Sequence, residues 1–100
     1  MTLSLALIVL SAASTSACRP LAAGETAAIS TEQAAVAAAK EAWRDKFSDA
    51  SVREREPYRA KFADGIWQVN GTLPAGWRGG TPEAVICASD GKVLRVFHSR

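Results

Sequence analysis

The alternation of apolar and polar residues is clearest between Pro57 and Pro74, where it predicts a β-hairpin. Asp64-Gly65 supplies the two loop residues, because a tight primed turn needs positive φ angles at those positions. Apolar side chains then share one face, since directly opposed residues of paired strands point the same way. The predicted pairs on that face are Phe62–Trp67, Ala60–Val69 and Tyr58–Gly71.

The other face of this hairpin is polar and carries two cations, Arg59 and Lys61, beside Gln68 and Asn70. Cations on a regular sheet face can contact a protein partner, so Arg59 and Lys61 are candidate partner-binding residues. The alternative interpretation is an ordinary solvated sheet face, which is the commoner situation for charged residues.

A second hairpin is predicted around Asp90-Gly91, with strands over Glu83–Ala88 and Lys92–His98. Counting outward from this turn assigns one face to Val85, Cys87, Leu94 and Val96, and the other to Ile86, Ala88, Val93, Arg95 and Phe97. Both faces are partly apolar, which predicts a deeper position in the sheet than that of the first hairpin.

A helix is predicted from Ser30 to about Phe47. Ser30 and Gln33 have the spacing of a capping box, in which both side chains satisfy free N–H groups at the helix start. One apolar stripe at helical spacing is predicted to lie on the sheet. It contains Val36, Ala39, Trp43 and Phe47, with Ala35 and Ala42 beside them. The polar stretch 48–56 is interpreted as a connector.

The fold class is therefore α+β: one N-terminal helix packed on a curved four-stranded antiparallel sheet made of two hairpins. The folded domain is predicted over residues 30–100, a size that gives only a small core. Between the hairpins, the glycine-rich loop A-G-W-R-G-G-T-P presents Trp77 and Arg78. These residue types are over-represented at binding hot spots, so both are candidate partner-binding residues. A Trp77 that caps an open end of the core is the equal alternative.

The first 17 residues are predicted to be an export signal, because the apolar run Leu3–Leu10 is followed by small residues up to Ala17. Ala17-Cys18 resembles the lipoprotein cleavage site, which makes Cys18 a candidate lipidation residue and its lipid the only expected link to a membrane. Ordinary cleavage near Ala17 or Ala23 would instead leave a soluble protein. Either way the chain is expected to be exported, to the periplasm or as an anchored lipoprotein, with residues 18–29 as a tether.

The chain has two cysteines, Cys18 and Cys87, whose state depends on this processing. A disulfide between them is one alternative in an oxidising compartment. If Cys18 is acylated or removed, Cys87 remains as a small buried thiol. No CxxC motif and no cysteine–histidine cluster is present, so neither a metal site nor a cofactor is expected.

Charge and motif content exclude several functions. The formal net charge is +2 and the cations are interleaved with carboxylates, so no basic stripe for nucleic acid is formed. No phosphate-binding glycine loop, zinc-protease motif or serine–histidine–acid set is present. His98 stands alone near the end and lacks an orienting partner for acid–base chemistry. The sequence therefore predicts a protein that is not an enzyme.

Several of these residues together resemble a bacterial family of immunity proteins with the nuclear-transport-factor-two-like fold. They are Trp43, Pro57-Tyr58, the run W-Q-V-N-G-T-L-P from Trp67 to Pro74, Gly79-Gly80, and D-G-K-V-L from Asp90 to Leu94. The resemblance covers roughly residues 31–98. The chain is short, so a reduced nuclear-transport-factor-two-like or cystatin-like version of the fold is expected.

The resemblance implies a protein that binds and neutralises a bacterial protein toxin, without enzyme activity and without a cofactor. The alternative is a small exported binding or protease-inhibitor-like module, for which a helix on a short antiparallel sheet is equally suitable. A third class, an enzyme with a pocket on the sheet, is disfavoured by the short chain and the missing acid–base pair.

Overall fold

A computed structural model describes residues 17–100, which form two helices followed by four strands. The predicted export segment, apart from Ala17, lies outside the described residues. The elements are α1 (Glu32–Trp43), α2 (Asp49–Arg53), β1 (Arg59–Ala63), β2 (Ile66–Asn70), β3 (Pro82–Cys87) and β4 (Val93–His98). The strands form one antiparallel sheet in the order β1-β2-β3-β4, so the predicted α+β class is confirmed.

Helix α1 is shorter at both ends than the sequence predicts. Its N-cap is Thr31 rather than Ser30, with the Thr31 hydroxyl accepting the N–H of Ala34 at 3.0 Å. It ends at Trp43 and passes into a turn, in which the Trp43 carbonyl accepts the N–H groups of both Lys46 and Phe47, each at 2.9 Å. The predicted connector then contains the short helix α2, capped by Ser48.

The first hairpin has the predicted register. Phe62 pairs with Trp67, Ala60 with Val69 and Ala63 with Ile66. Asp64 and Gly65 have φ angles of 52° and 77°, so the turn has the predicted positive φ angles. Tyr58 precedes the paired residues, and its buried ring lies so close to Gly71 that a β-carbon there would clash with it.

The second hairpin differs from the prediction by a shift in register. Val85 pairs with Arg95 but Ile86 pairs with Val93, so Leu94 is an extra residue, a β-bulge. Ala84 therefore lies opposite Val96, and Glu83 lies opposite Phe97. Val96 shares the core face with Ala84 and not the face of Val85, while Arg95 and Phe97 lie on the opposite face. The strand β4 is an edge strand, not a deeply placed one.

The core lies between α1 and one face of the sheet. Its buried residues include Ala35, Ala39, Trp43, Tyr58, Trp67, Val69, Ala84 and Ile86, with Val36 and Phe47 packed against them. The predicted helix stripe is confirmed for Ala35, Val36, Ala39 and Trp43, whereas Phe47 packs on the core from beyond the helix and Ala42 is not part of the core cluster. The indole N–H of Trp43 donates to the carbonyl of Glu83 at 3.0 Å, which ties the helix to β3 within the apolar layer. Pairing this buried N–H avoids a desolvation cost of about 1–3 kcal/mol.

The segment 18–29, predicted to be a tether, is fixed to the domain at both ends. Cys18 is joined to Cys87 by a disulfide, and the N–H groups of Ala28 and Ile29 donate to the carbonyls of Ser89 and Ala88. Cys18 and Ile29 are each only 7% exposed, whereas residues 19–26 between them are exposed. The sequence gives no local sign of this attachment, because both contacts are made to residues about 60 or more positions away.

Candidate protein-binding surfaces

The buried motif residues of the predicted resemblance hold the fold together and are not available to a partner. Trp43 and Val69 are fully buried, and Trp67 donates its indole N–H to the Ile29 carbonyl at 2.9 Å. Gly71 and Gly80 allow close backbone contact, because a β-carbon at Gly80 would collide with Ser99 and one at Gly71 with Arg55 and the Tyr58 ring. A binding surface must therefore be built from other residues.

The loop between β2 and β3 presents Trp77, whose side chain is 56% exposed. This exposure contradicts the alternative in which Trp77 caps the core. The guanidinium of Arg55 lies 5.2 Å from the centre of the Trp77 ring, and its Nε donates to the Gly80 carbonyl at 3.1 Å. Arg55 thus orders the loop through a cation–π contact and a hydrogen bond. Arg78 is also exposed, and no ion pair to it is present within residues 17–100.

Arg55 is a residue that sequence reasoning missed. It lies in R-E-R-E, where alternating charges indicate only a solvated connector. Besides its contacts with Trp77 and Gly80, its backbone carbonyl accepts the N–H of Thr72 at 2.8 Å. No local pattern could identify this role, since the contacts span 17 to 25 positions of the chain.

Arg59 and Lys61 differ in their surroundings. The Nε of Arg59 donates to the Glu32 carboxylate at 2.8 Å, and the same carboxylate oxygen accepts the N–H of Ala60 at 2.9 Å. The Ala60 N–H and the Arg59 guanidinium hold the pKa of Glu32 below its usual range, and Glu32 in turn raises the pKa of Arg59. Lys61 is exposed, and within the described part of the chain no carboxylate pairs with it.

The sheet face opposite α1 continues from Lys61 across all four strands. Lys61 pairs with Gln68, Gln68 with Val85, and Val85 with Arg95, so these residues form one row with a cation at each end. Phe97 extends the row along β4, with the Arg95 guanidinium 4.6 Å from its ring centre. We call Lys61, Gln68, Val85, Arg95 and Phe97 the open face. The register shift in the second hairpin is the reason why the sequence did not place Arg95 and Phe97 beside Val85.

The structure brings some of the predicted candidates together at one end of the sheet. Arg59 pairs with Asn70, the last residue of β2, and the loop containing Trp77 and Arg78 starts directly after it. Lys61 lies two residues further along β1, on the open face. Among the described residues no hydrogen bond or ion pair joins the loop to Arg59 or Lys61, so the loop and the open face are neighbouring but separate surfaces.

Cys18, the candidate lipidation residue, has its sulfur in the disulfide with Cys87. A lipid thioether needs this same sulfur atom, so the disulfide and the lipid exclude one another. The structure contains the disulfide alternative, and lipidation of Cys18 stays a prediction. Next to it, Arg19 pairs with Glu25 through two hydrogen bonds of 2.8 Å. This pairing and the Ala22 N–H lower the pKa of Glu25 to about 2.

An apolar groove of about 720 Å³ lies between the segment 18–29 and the tip of the first hairpin. Phe62 is 56% exposed and Leu21 is 45% exposed, both on the groove wall, and Trp67 and Ile29 line it with smaller exposed areas. Phe62 lies on the helix side of the sheet, opposite Trp67, and is nevertheless exposed. The groove is at the opposite end of the sheet from Trp77.

Other kinds of site find no support in the described part of the chain. No group of three or more histidine, cysteine, aspartate or glutamate side chains is placed to hold a metal ion within residues 17–100. In the same range, no helix has the length and apolarity needed to cross a membrane. His98 is exposed, and its ring meets the edge of Phe47 at 5.9 Å rather than a carboxylate.

Comparison with known families decides the assignment of the chain. A family model described as NTF2 fold immunity protein matches residues 34–100. The chain belongs to this family. The match begins inside α1 and includes every strand, so it covers the whole sheet and confirms the predicted resemblance. Searches among curated proteins and among solved structures each found no match.

The residues that identify the family and the residues that could contact a partner are largely different. The residues through which this immunity protein resembles its family are those that fix helix to sheet and loop to strand, such as Trp43, Trp67 and Gly80. Of the exposed residues just described, Trp77, Arg78, Lys61 and Arg95 lie outside the motif, whereas Gln68 belongs to it. The family assignment therefore supports a toxin as partner in general terms and leaves the contact surface to be argued from geometry.

Proposed function

We propose that this protein is a non-catalytic immunity protein that binds a bacterial protein toxin and neutralises it. The observation that carries the proposal is the family match over residues 34–100. Two surfaces support it with suitable chemistry. One is the exposed Trp77 with Arg78 on an ordered loop. The other is the open face, which has Lys61 at one end of its row and Arg95 at the other, with the Glu83 carboxylate beside Gln68 on the same face. Exposed tryptophan and arginine side chains are typical anchors of protein interfaces.

The proposed contact residues are Trp77 and Arg78, followed by Lys61, with Arg59 at the margin. Arg59 has a smaller part in this proposal because Glu32 already binds its guanidinium. Lys61 is exposed and pairs with no carboxylate among residues 17–100, so a partner's carboxylate can bind it without breaking an existing ion pair. The expected partner surface is acidic where it meets the open face.

We further propose that the protein is exported to an oxidising compartment. The Cys18–Cys87 disulfide supports this location, because disulfides persist in the periplasm and are rare in the reducing cytoplasm. The apolar run Leu3–Leu10, predicted to be an export signal, supports it independently. Intact-mass measurement on the periplasmic fraction should find a chain that begins near Ala17 and is two hydrogens lighter than its reduced form. A full-length reduced chain in the cytoplasm would contradict this location.

To find the toxin, the tagged chain is used as bait for affinity capture from extracts of its source bacterium. The captured protein is then produced in a sensitive host with and without the immunity protein, and growth is measured. Growth only in the presence of the immunity protein supports the proposal. If no captured protein impairs growth, and no gene beside that of this chain encodes a toxin, the proposal fails.

The contact residues are tested with the same pair of proteins. Trp77→Ala should weaken binding by about 2 kcal/mol, the size typical of an interface anchor. Lys46→Glu is the control, because Lys46 is exposed after α1 and belongs to neither surface. Equal affinities for the two variants would place the toxin elsewhere on the protein.

A further inference from the structure

The two edge strands of the sheet, β1 and β4, differ in how the rest of the chain covers their outward backbone groups. At the β1 edge, Ala60 points its N–H away from β2, and the Glu32 carboxylate accepts it at 2.9 Å. The charged side chains of Arg59 and Lys61 flank this position on the same strand. The Glu32 carboxylate occupies the outward N–H that an added strand would need for pairing at this position. The β1 edge is therefore closed to strand addition at Ala60.

The β4 edge lacks such a cap over its C-terminal half. Ser99 donates its N–H to the Thr81 carbonyl at 3.0 Å, which fixes which residues of β4 bond to β3. Along an antiparallel ladder, the N–H and C=O groups of successive residues point alternately toward and away from the neighbouring strand. Val96 and His98 therefore point their N–H and C=O groups away from β3. No other residue within 17–100 donates to or accepts from these outward groups.

This edge is also cationic. Lys92, Arg95 and Arg100 are exposed, and none of them forms an ion pair within residues 17–100. No aspartate or glutamate occurs after Asp90. A second copy of this chain paired along β4 would bring two sets of cations together, and like charges across paired strands are destabilising. An acidic strand has the complementary charge.

We propose that the β4 edge binds an extended acidic segment of the partner protein as a fifth strand. This inference rests on the proposed function in taking the toxin as that partner. The outward groups of Val96 and His98 supply the backbone hydrogen bonds, and Arg95 pairs with a carboxylate. The bulge at Leu94 interrupts the regular edge, so the docked segment lies along Arg95–Ser99 and is short.

A peptide titration tests the edge without the toxin. The probe is a capped hexapeptide of alternating glutamate and valine, and the matched probe has lysine in place of each glutamate. Nuclear magnetic resonance of the labelled full-length protein follows every backbone amide. The glutamate peptide should shift the Val96 and His98 amides most, while the lysine peptide should leave them in place. Shifts of equal size for both peptides, or shifts confined to other residues, overturn the proposal.

Two variants separate edge pairing from general electrostatic attraction. His98→Pro removes an outward N–H without touching a bond to β3, and should weaken peptide binding about tenfold by losing a hydrogen bond and blocking the approach. Arg95→Glu should weaken it by a similar factor, whereas the control Lys46→Glu should not. If His98→Pro perturbs the fold, the comparison of peptide affinity between Arg95→Glu and Lys46→Glu still tests the proposal. Binding of the glutamate peptide unchanged in Arg95→Glu overturns the proposal.

The same variants distinguish this inference from the proposed function. If the captured toxin binds His98→Pro and Arg95→Glu as tightly as the unmodified protein, the edge is not the docking site although the toxin-binding function stands. If no toxin is captured while the glutamate peptide binds at Val96 and His98, the edge accepts acidic strands and the proposed partner class is wrong. A concentration-dependent dimer that His98→Pro abolishes would identify a second copy as the occupant and overturn the proposal.

Discussion

The indole N–H of Trp67 donates to the carbonyl of Ile29 at 2.9 Å, across 38 positions of the chain. The neighbouring N–H of Ile29 donates to the Ala88 carbonyl at 2.9 Å, so Ile29 is held from both sides. Through these two bonds β2 and the end of β3 fix the segment that leads into α1. The start of the helix is therefore positioned by the sheet on which it packs.

Substitution of Trp67 should reveal this link. Trp67→Phe removes the donor and leaves the buried Ile29 carbonyl unpaired, which should lower the free energy of unfolding by about 1–3 kcal/mol. Trp77→Phe is the matched control, because Trp77 is 56% exposed and should change stability by less than about 0.5 kcal/mol. Urea unfolding followed by circular dichroism measures both. Equal midpoints for the two variants would contradict the role assigned to Trp67.

The disulfide should contribute strongly to the stability of so small a domain. It links positions 69 residues apart, and closing a loop of that length in the unfolded chain corresponds to about 4 kcal/mol. Cys18→Ser should lower the urea midpoint accordingly, and the unmodified protein in a reductant should show the same midpoint as the variant. A reductant that leaves the midpoint unchanged would show that the bond contributes little.

The titration of Tyr58 should be displaced to high pH. Its side chain is 6% exposed, and burial raises the pKa of the phenol to about 12. Because the folded pKa lies above the unfolded value of about 10, the stabilising effect is complete below that value and is lost as pH rises towards 12. The chain has a single tyrosine, so tyrosinate absorbance reports this residue alone. Titration near pH 10 in the folded protein would contradict its burial.

Acid should weaken the contact between α1 and the β1 edge. The pKa of Glu32 is lowered by the Ala60 N–H and by Arg59, so its stabilising effect is complete above the unfolded pKa of about 4.3 and is lost as pH falls through the folded value. Glu32→Gln should therefore be less stable than the unmodified protein near neutral pH, and the difference should shrink below pH 4.3 or so. Glu41→Gln is the control, since Glu41 pairs only with Arg44 on the helix surface. If the stability difference between Glu32→Gln and the unmodified protein persists in acid, the charge of Glu32 is not its cause.

The sequence predicts this fold where the signals are local. Asp64-Gly65 fixes the turn of the first hairpin, and alternation then places Phe62 against Trp67 in the observed register. The α1 stripe from Ala35 to Trp43 is likewise a local pattern with one solution. These signals also support the overall class, since two hairpins after one helix leave few ways to bury both apolar faces.

The prediction fails where distant residues decide the outcome. The bulge at Leu94 reverses the faces assigned to Arg95 and Val96, and no turn residue near Asp90-Gly91 indicates it. The sequence assigns Arg55 to a solvated connector, yet Arg55 orders the loop around Trp77. The attachment of residues 18–29 depends on Cys87 and Ala88, which are far along the chain. Among the candidate residues, the sequence placed Lys61 on the polar face of the first hairpin, left exposure and core capping as equal alternatives for Trp77, and assigned Arg95 to the wrong face.

The distance between the two cysteines also sets an order of events in biogenesis. Cys87 is synthesised 69 residues after Cys18, at the end of β3, so the covalent link cannot close until the first three strands have been made. Closure of the disulfide is therefore a late step, and the chain acquires its full resistance to unfolding only after nearly all of it has been made.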